Sequence, residues 1–215
     1  MTAKTSHCSR MIIALTGFMG CGKSSVGREL STLLSIPCID LDKYIERKAG
    51  RRIPDIFAQE GETVFRDLES EALKEVLNVP GDSPSETSFG PLPSDDGPLP
   101  LMLPRVAQFP RGNLPELNES SKGLILSLGG GTILRPENAA LIKEHCKCFF
   151  LRASEETLRL HLGGEQSQRP LLRSGGFEAL LQERTPLYTA AADFIIDIDR
   201  LSPMQVAGII ANLIS

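Results

Sequence analysis

The chain has 215 residues, 41% apolar and 23% charged, with a formal net charge of −4. That acidic balance argues against bulk nucleic-acid binding, which rests on a basic excess or patch. Five cysteines, an odd number without framework spacing, argue against a disulfide scaffold, and no apolar run approaches the ~18 residues of a membrane span.

Residues 1–10, MTAKTSHCSR, lack the apolar centre of a signal peptide and are expected to form a flexible terminus of a cytoplasmic protein. Residues 11–15, MIIAL, are short, apolar and rich in β-branched side chains, as a buried strand is. Val26, Leu30, Leu33 and Leu34 recur at helical spacing and predict a helix over 22–35. Between strand and helix lies GFMGCGKSS. Its residues 17–24 match G-x-x-x-x-G-K-[ST], a turn whose backbone N–H groups curl around phosphate oxygens. The helix N-terminus adds its positive end. Lys23 would reach the β and γ phosphates, and the Ser24 hydroxyl can ligate magnesium. No N-K-x-D guanine motif accompanies the loop, which disfavours a GTPase.

A second strand is predicted over 37–41 and a helix over 42–48. Asp40 and Asp42 alternate at that strand's carboxyl end, where open α/β sheets bind ligands. One carboxylate could hold a magnesium-bound water and the other an acceptor hydroxyl. The plainer reading makes Asp42 a helix N-cap. A helix over 62–78 places Arg66 and Glu69 three residues apart, hence neighbours. From spacing alone they read as a surface ion pair or as an arginine oriented to grip a carboxylate.

Residues 80–120 hold nine of the fifteen prolines and show no helix or strand period, so an extended surface insertion is expected. A strand over 123–128 ends in Gly129, Gly130 and Gly131, which permit close approach of a ligand to backbone. A helix over 136–144 and a strand over 147–151 follow. Cys146-x-Cys148 hints at a metal, but without a second pair the two read as buried strand cysteines. A helix over 154–162 precedes a Gly-rich, polar stretch over 163–176 that is expected to form a lid and carries Arg169. Helices over 176–184 and 203–214 flank a last strand over 193–198. Short, continuous apolar strands alternating with helices predict an α/β fold with a parallel sheet.

The ordered set GFMGCGKSSVG, IDLD, FAQEGETVFRDLES, LSLGGGTIL, QRPLL and ERTPLY resembles the shikimate kinase family over nearly all of the chain outside 1–10 and 80–120. The resemblance implies one domain over 11–215 with the P-loop fold of the nucleoside-monophosphate-kinase type. That fold has a five-stranded parallel sheet, order 2-3-1-4-5, flanked by helices. It implies transfer of the ATP γ-phosphoryl group to the 3-hydroxyl of shikimate, with Mg²⁺, in chorismate and aromatic amino acid synthesis. Its partners would be these small molecules alone, with no nucleic acid and no membrane, and the chain a monomer. By position, Gly20, Cys21, Gly22, Lys23, Ser24 and Ser25 would cradle ATP, and Ser24 and Asp40 would serve the metal. Asp42, Arg66, Gly130, Gly131 and Arg184 would hold shikimate, with Glu69 orienting Arg66. Lys23, Asp42 and Arg169 would be catalytic. Two points depart from the family pattern. The arginine expected before the lid to stack on adenine is displaced, leaving Arg159 and Arg200 as candidates on the adenine side. The insertion over 80–120 is the second. A related sugar-acid kinase such as gluconate kinase, and a non-catalytic kinase-like binder, are the competing readings.

Overall fold

The computed structural model describes residues 11–77, 123–163 and 176–215. The terminus expected to be flexible, the expected insertion, Arg169 and nearly all of the expected lid lie outside them. Five strands form one parallel sheet: β1 (Met11–Thr16), β2 (Cys38–Asp40), β3 (Gly123–Ser127), β4 (Lys147–Arg152) and β5 (Phe194–Asp197). Their order is β2-β3-β1-β4-β5, as the family resemblance implies. Central strands carry the core. All of β3, β1 after Met11, and the inner four residues of β4 are buried. An edge strand has one covered flank fewer, and Ile195 of β5 is 41% exposed.

Among the described residues seven helices connect and cover the strands: α1 (Lys23–Leu34), α2 (Leu41–Ala49), α3 (Ile53–Leu77), α4 (Pro136–His145), α5 (Glu155–Leu162), α6 (Phe177–Ala191) and α7 (Pro203–Ile214). A 3-10 turn, Thr132–Leu134, sits between β3 and α4. α1 packs on β1, β2 and β3 and against α7, while α4 and α6 pack on β4 and on each other. Ser154 caps α5 by accepting from the Thr157 N–H, and Ser202 with Gln205 forms a reciprocal capping box on α7.

Three sequence expectations change. α3 begins at Ile53, not at 62, and breaks at Gly61, whose φ of 85° is left-handed. The isolated glycine reads as the start of one helix, whereas it joins two. α6 runs on past Pro186 to Ala191. The ring and the carbonyl it frees, that of Gln182, are both on solvent-facing residues, so water can satisfy the lost bond. The β2 strand stops at Asp40, and Asp40 rather than Asp42 is the N-cap of α2, accepting from the Lys43 N–H at 3.2 Å. Asp42 therefore lies in the first helical turn, not on the strand.

The cysteines Cys146 and Cys148 are buried around the start of β4, and burial pushes the Cys146 thiol up to about 12. Among the described residues no helix is long and apolar enough to cross a membrane. Leu30 of α1 is fully buried over the sheet. Leu30→Ala is expected to cost about 2–5 kcal/mol, measured as a lower urea midpoint with an unchanged slope.

Candidate active site

The loop between β1 and α1 is built on backbone that side chains resist. Gly22 caps α1 at φ 81°, and Gly17 at φ 143° lies so near Leu151 that a Cβ would stand 2.7 Å from its carbonyl oxygen. Lys23 opens the helix and bends back over the loop. Its Nζ donates to the carbonyls of Gly17 and Phe18 at 2.8 and 3.0 Å. The ammonium is thus held back against the loop. Ser24 Oγ donates to Asp40 Oδ2 at 2.6 Å, while the other carboxylate oxygen caps α2.

A cleft of about 530 Å³ opens above this loop. Its floor is Gly20 to Ser25, with Asp40 and Asp42 on one side. Leu128, Ile198, Leu201, Pro203 and Val206 supply an apolar wall, and His161 lines the rim. A polar floor with an apolar wall suits a phosphate chain joined to a flat base. The His161 ring nitrogen Nδ1 lies 2.9 Å from the Gly20 carbonyl oxygen, tying the end of α5 to the phosphate loop. Arg200 is exposed and does not line the cleft, although Ile198 and Leu201 beside it do. Arg159 pairs with Glu155 at 2.6 Å and lies over the Phe177 ring, 4.5 Å from its centroid. Neither arginine is therefore placed on the apolar wall.

A second pocket of about 150 Å³ adjoins the first, and both include Met19, Asp42 and Gly130. Ile53, Phe57 and Phe65 form its apolar side, and Arg66, Glu69 and Arg184 its charged side. Arg66 is 8% exposed and donates to Glu69 Oε2 at 2.7 Å and, through NH2, to Glu62 at 3.1 Å. The surface-pair reading does not hold, because Glu69 is 1% exposed. Arg184 is buried, and its NH1 donates to the Gly130 carbonyl at 3.3 Å. Its Nε has no hydrogen-bond partner among the described residues. A buried donor without an acceptor is costly, so a ligand acceptor would be favoured there.

Glycines 129 to 131 leave room for these groups. A Cβ on Gly131 would overlap the Arg66 guanidinium, and one on Gly129 would stand 2.6 Å from Asp42 Oδ1 and 2.7 Å from Glu69 Oε1. Gly129 thus joins Gly130 and Gly131 as a residue whose lack of a side chain matters. Tyr188, buried on α6, donates its hydroxyl to Gly130 O at 2.5 Å, and burial pushes its phenol up. Sequence reading passed over Tyr188, His161, Thr132 and the apolar walls. ERTPLY carries the tyrosine, but no spacing marks it as more than core.

Asp42 stands where the two pockets meet. Burial, then the charges of Glu69 and Asp40, push its carboxyl up to about 6, against the pull of Lys23. A carboxyl raised in the folded state binds its proton more readily folded than unfolded, so its charge opposes folding above about 6. Asp42→Asn is expected to raise unfolding stability at pH 7 by on the order of 1–3 kcal/mol. That gain shrinks as pH falls toward 4. Urea unfolding at pH 7 and pH 4 checks both parts.

Comparison with known proteins agrees with this geometry. The shikimate kinase family model matches residues 19–81 and 113–215. A shikimate kinase of Dictyoglomus turgidum is 33% identical over 194 residues, covering 88% of this chain and 89% of that protein. One from Thermodesulfovibrio yellowstonii is 34% identical over 199 residues, covering 91% and 90%. Among solved structures, shikimate kinase from Acinetobacter baumannii in complex with shikimate superposes with a TM-score of 0.72 at 28% identity, covering 96% of this chain and 94% of that one. With a P-loop cleft, an adjoining pocket of buried arginines and matches spanning most of its length, the chain belongs to the shikimate kinase family.

Proposed function

We propose that this protein transfers the γ-phosphoryl group of ATP to the 3-hydroxyl of shikimate, giving shikimate 3-phosphate and ADP. The observation that carries the reading is the shared wall of the two pockets. A phosphate-binding cleft opens at Asp42 onto a small pocket with an apolar side and two buried guanidiniums. Shikimate has an apolar ring, hydroxyls, and a carboxylate suited to paired arginines.

The residues divide the work. Arg66 and Arg184 hold the carboxylate, with Glu69 and Glu62 fixing the Arg66 fork. Phe57, Phe65 and Ile53 cover the ring. Asp42 aligns the 3-hydroxyl and accepts its proton. The bond from that oxygen to the γ phosphorus forms as the bond from phosphorus to the ADP oxygen breaks. The transition state spreads negative charge over its peripheral oxygens, so positioning and fixed positive charge do most of the work. Lys23 and the loop N–H groups supply it from this chain, and Arg169 adds to them by its place in the family pattern. Ser24 Oγ and Asp40 Oδ2 offer hard oxygen donors 2.6 Å apart, a donor set that fits Mg²⁺. When bound there, the ion would neutralise charge on the phosphates. The product would feed chorismate and aromatic amino acid synthesis. The free thiols of Cys21, Cys38, Cys146 and Cys148 suit the reducing cytoplasm in which we place it.

The test is coupled ADP release from ATP and Mg²⁺ with no acceptor, with shikimate and with gluconate. Shikimate is expected to stimulate turnover and gluconate is not. Arg66→Ala is expected to lower kcat/KM for shikimate by about 10²-fold or more. Turnover indifferent to shikimate, or driven by gluconate, would overturn the assignment.

A further inference from the structure

Behind the pocket lies a polar chain that no catalytic role accounts for. Thr132 opens the 3-10 turn after the three glycines and is fully buried. Its Oγ1 donates to Glu69 Oε1 at 2.6 Å. The second oxygen of the same carboxylate takes the Arg66 NH1 bond at 2.7 Å. Thr132 itself is pinned from both sides. Its N–H donates to the Gly129 carbonyl at 3.2 Å, and its carbonyl accepts from Asn138 Nδ2 at 3.0 Å. Asn138 is also fully buried, on the first turn of α4.

A buried carboxylate oxygen left without a donor is costly. Glu69 has one donor that is charged and one that is neutral. Remove the neutral one, and one oxygen loses its bond beside Asp42, which already repels it. The carboxylate can then turn about its remaining bond to Arg66, and that turn moves the guanidinium. The guanidinium has little slack, because Gly131 lies against it where no Cβ could fit.

We infer that Thr132 is a positioning residue for the acceptor pocket: through its hydroxyl it holds the Glu69 carboxylate in one orientation, and so sets the angle at which Arg66 meets the acceptor carboxylate. The residue touches neither reacting atom. This inference rests on the shikimate assignment above. It adds that the 3-10 turn, held by α4 through Asn138, tunes acceptor affinity without touching the nucleotide cleft.

Three variants separate the hydroxyl from the space it fills. Thr132→Val keeps the shape and removes the donor. Thr132→Ser keeps the donor and removes a methyl. Thr132→Ala removes both. Steady-state kinetics with shikimate and ATP varied in turn supply the readout. Thr132→Val is expected to raise the shikimate KM about tenfold, with the ATP KM within about twofold of the parent and kcat less affected than KM. Thr132→Ser is expected to stay close to the parent. If the valine variant does not fold, the serine and alanine variants still differ in the donor, and only alanine should show the raised shikimate KM. Unchanged shikimate KM in the valine variant would overturn the inference, as would a serine variant as impaired as valine or alanine. Parent enzyme that ignores shikimate would overturn the functional assignment, and this inference with it. The two failures are therefore distinguishable.

Discussion

The buried pair of Arg66 and Glu69 constrains everything around it. Taking both charges out of water is expensive, and their attraction offsets that only with good geometry and further hydrogen bonds. The structure supplies them. Glu69 receives Arg66 on one oxygen and Thr132 on the other, and Arg66 gives its remaining donors partly to Glu62. The cost appears in neighbouring residues. Gly131 cannot carry a side chain, and Asp42 is pushed toward its protonated form by burial first and by the Glu69 carboxylate second. A pair held at this expense adds little to stability. Its use is to hold a fork of donors still at the edge of a small pocket.

The sheet explains why that pocket meets the phosphate loop. β1 leads into the loop, and β3, its hydrogen-bonded neighbour, leads into the three glycines. Parallel strands bring both turns to the same carboxyl edge, the usual ligand edge of open α/β sheets. On the far side of β3, Asp40 closes β2 at the same edge. The phosphate-loop cleft and the smaller pocket are then neighbours by topology, with Asp42 lining both. β3 begins at Gly123, its amino end, while the site lies beyond its carboxyl end at Ser127.

Much of this was legible in the sequence. The strands read correctly because central parallel strands are uniformly apolar, as LILS and CFFL are. The turn between β1 and α1 was legible because its glycines, lysine and serine each answer a separate physical demand. What failed did so for local reasons. Gly61 looked like a helix start, since its left-handed φ shows only in three dimensions. Pro186 looked like a helix stop, since a proline facing solvent is spelled no differently from one facing the core. Alternation placed Asp42 on a strand that in fact ends at Asp40. Arg66 and Glu69 could not be told from a surface pair, because the 3-10 turn that buries them comes 63 residues after Glu69. Leu128, Ile198, Leu201 and Val206 have the composition of core, and only the cleft beside them makes them a wall.

The central claim is that Arg66, held by Glu69, recognises the carboxylate of the acceptor. The most direct test is a two-by-two titration. Shikimate and a ligand identical but for a carboxamide in place of the carboxylate are each titrated calorimetrically into the parent and into Arg66→Gln. The account predicts that the parent prefers the carboxylate by at least about tenfold, and that the substitution removes most of that preference, as coupled contacting groups do. An equal preference in both proteins would contradict it, and would move recognition of the carboxylate away from Arg66.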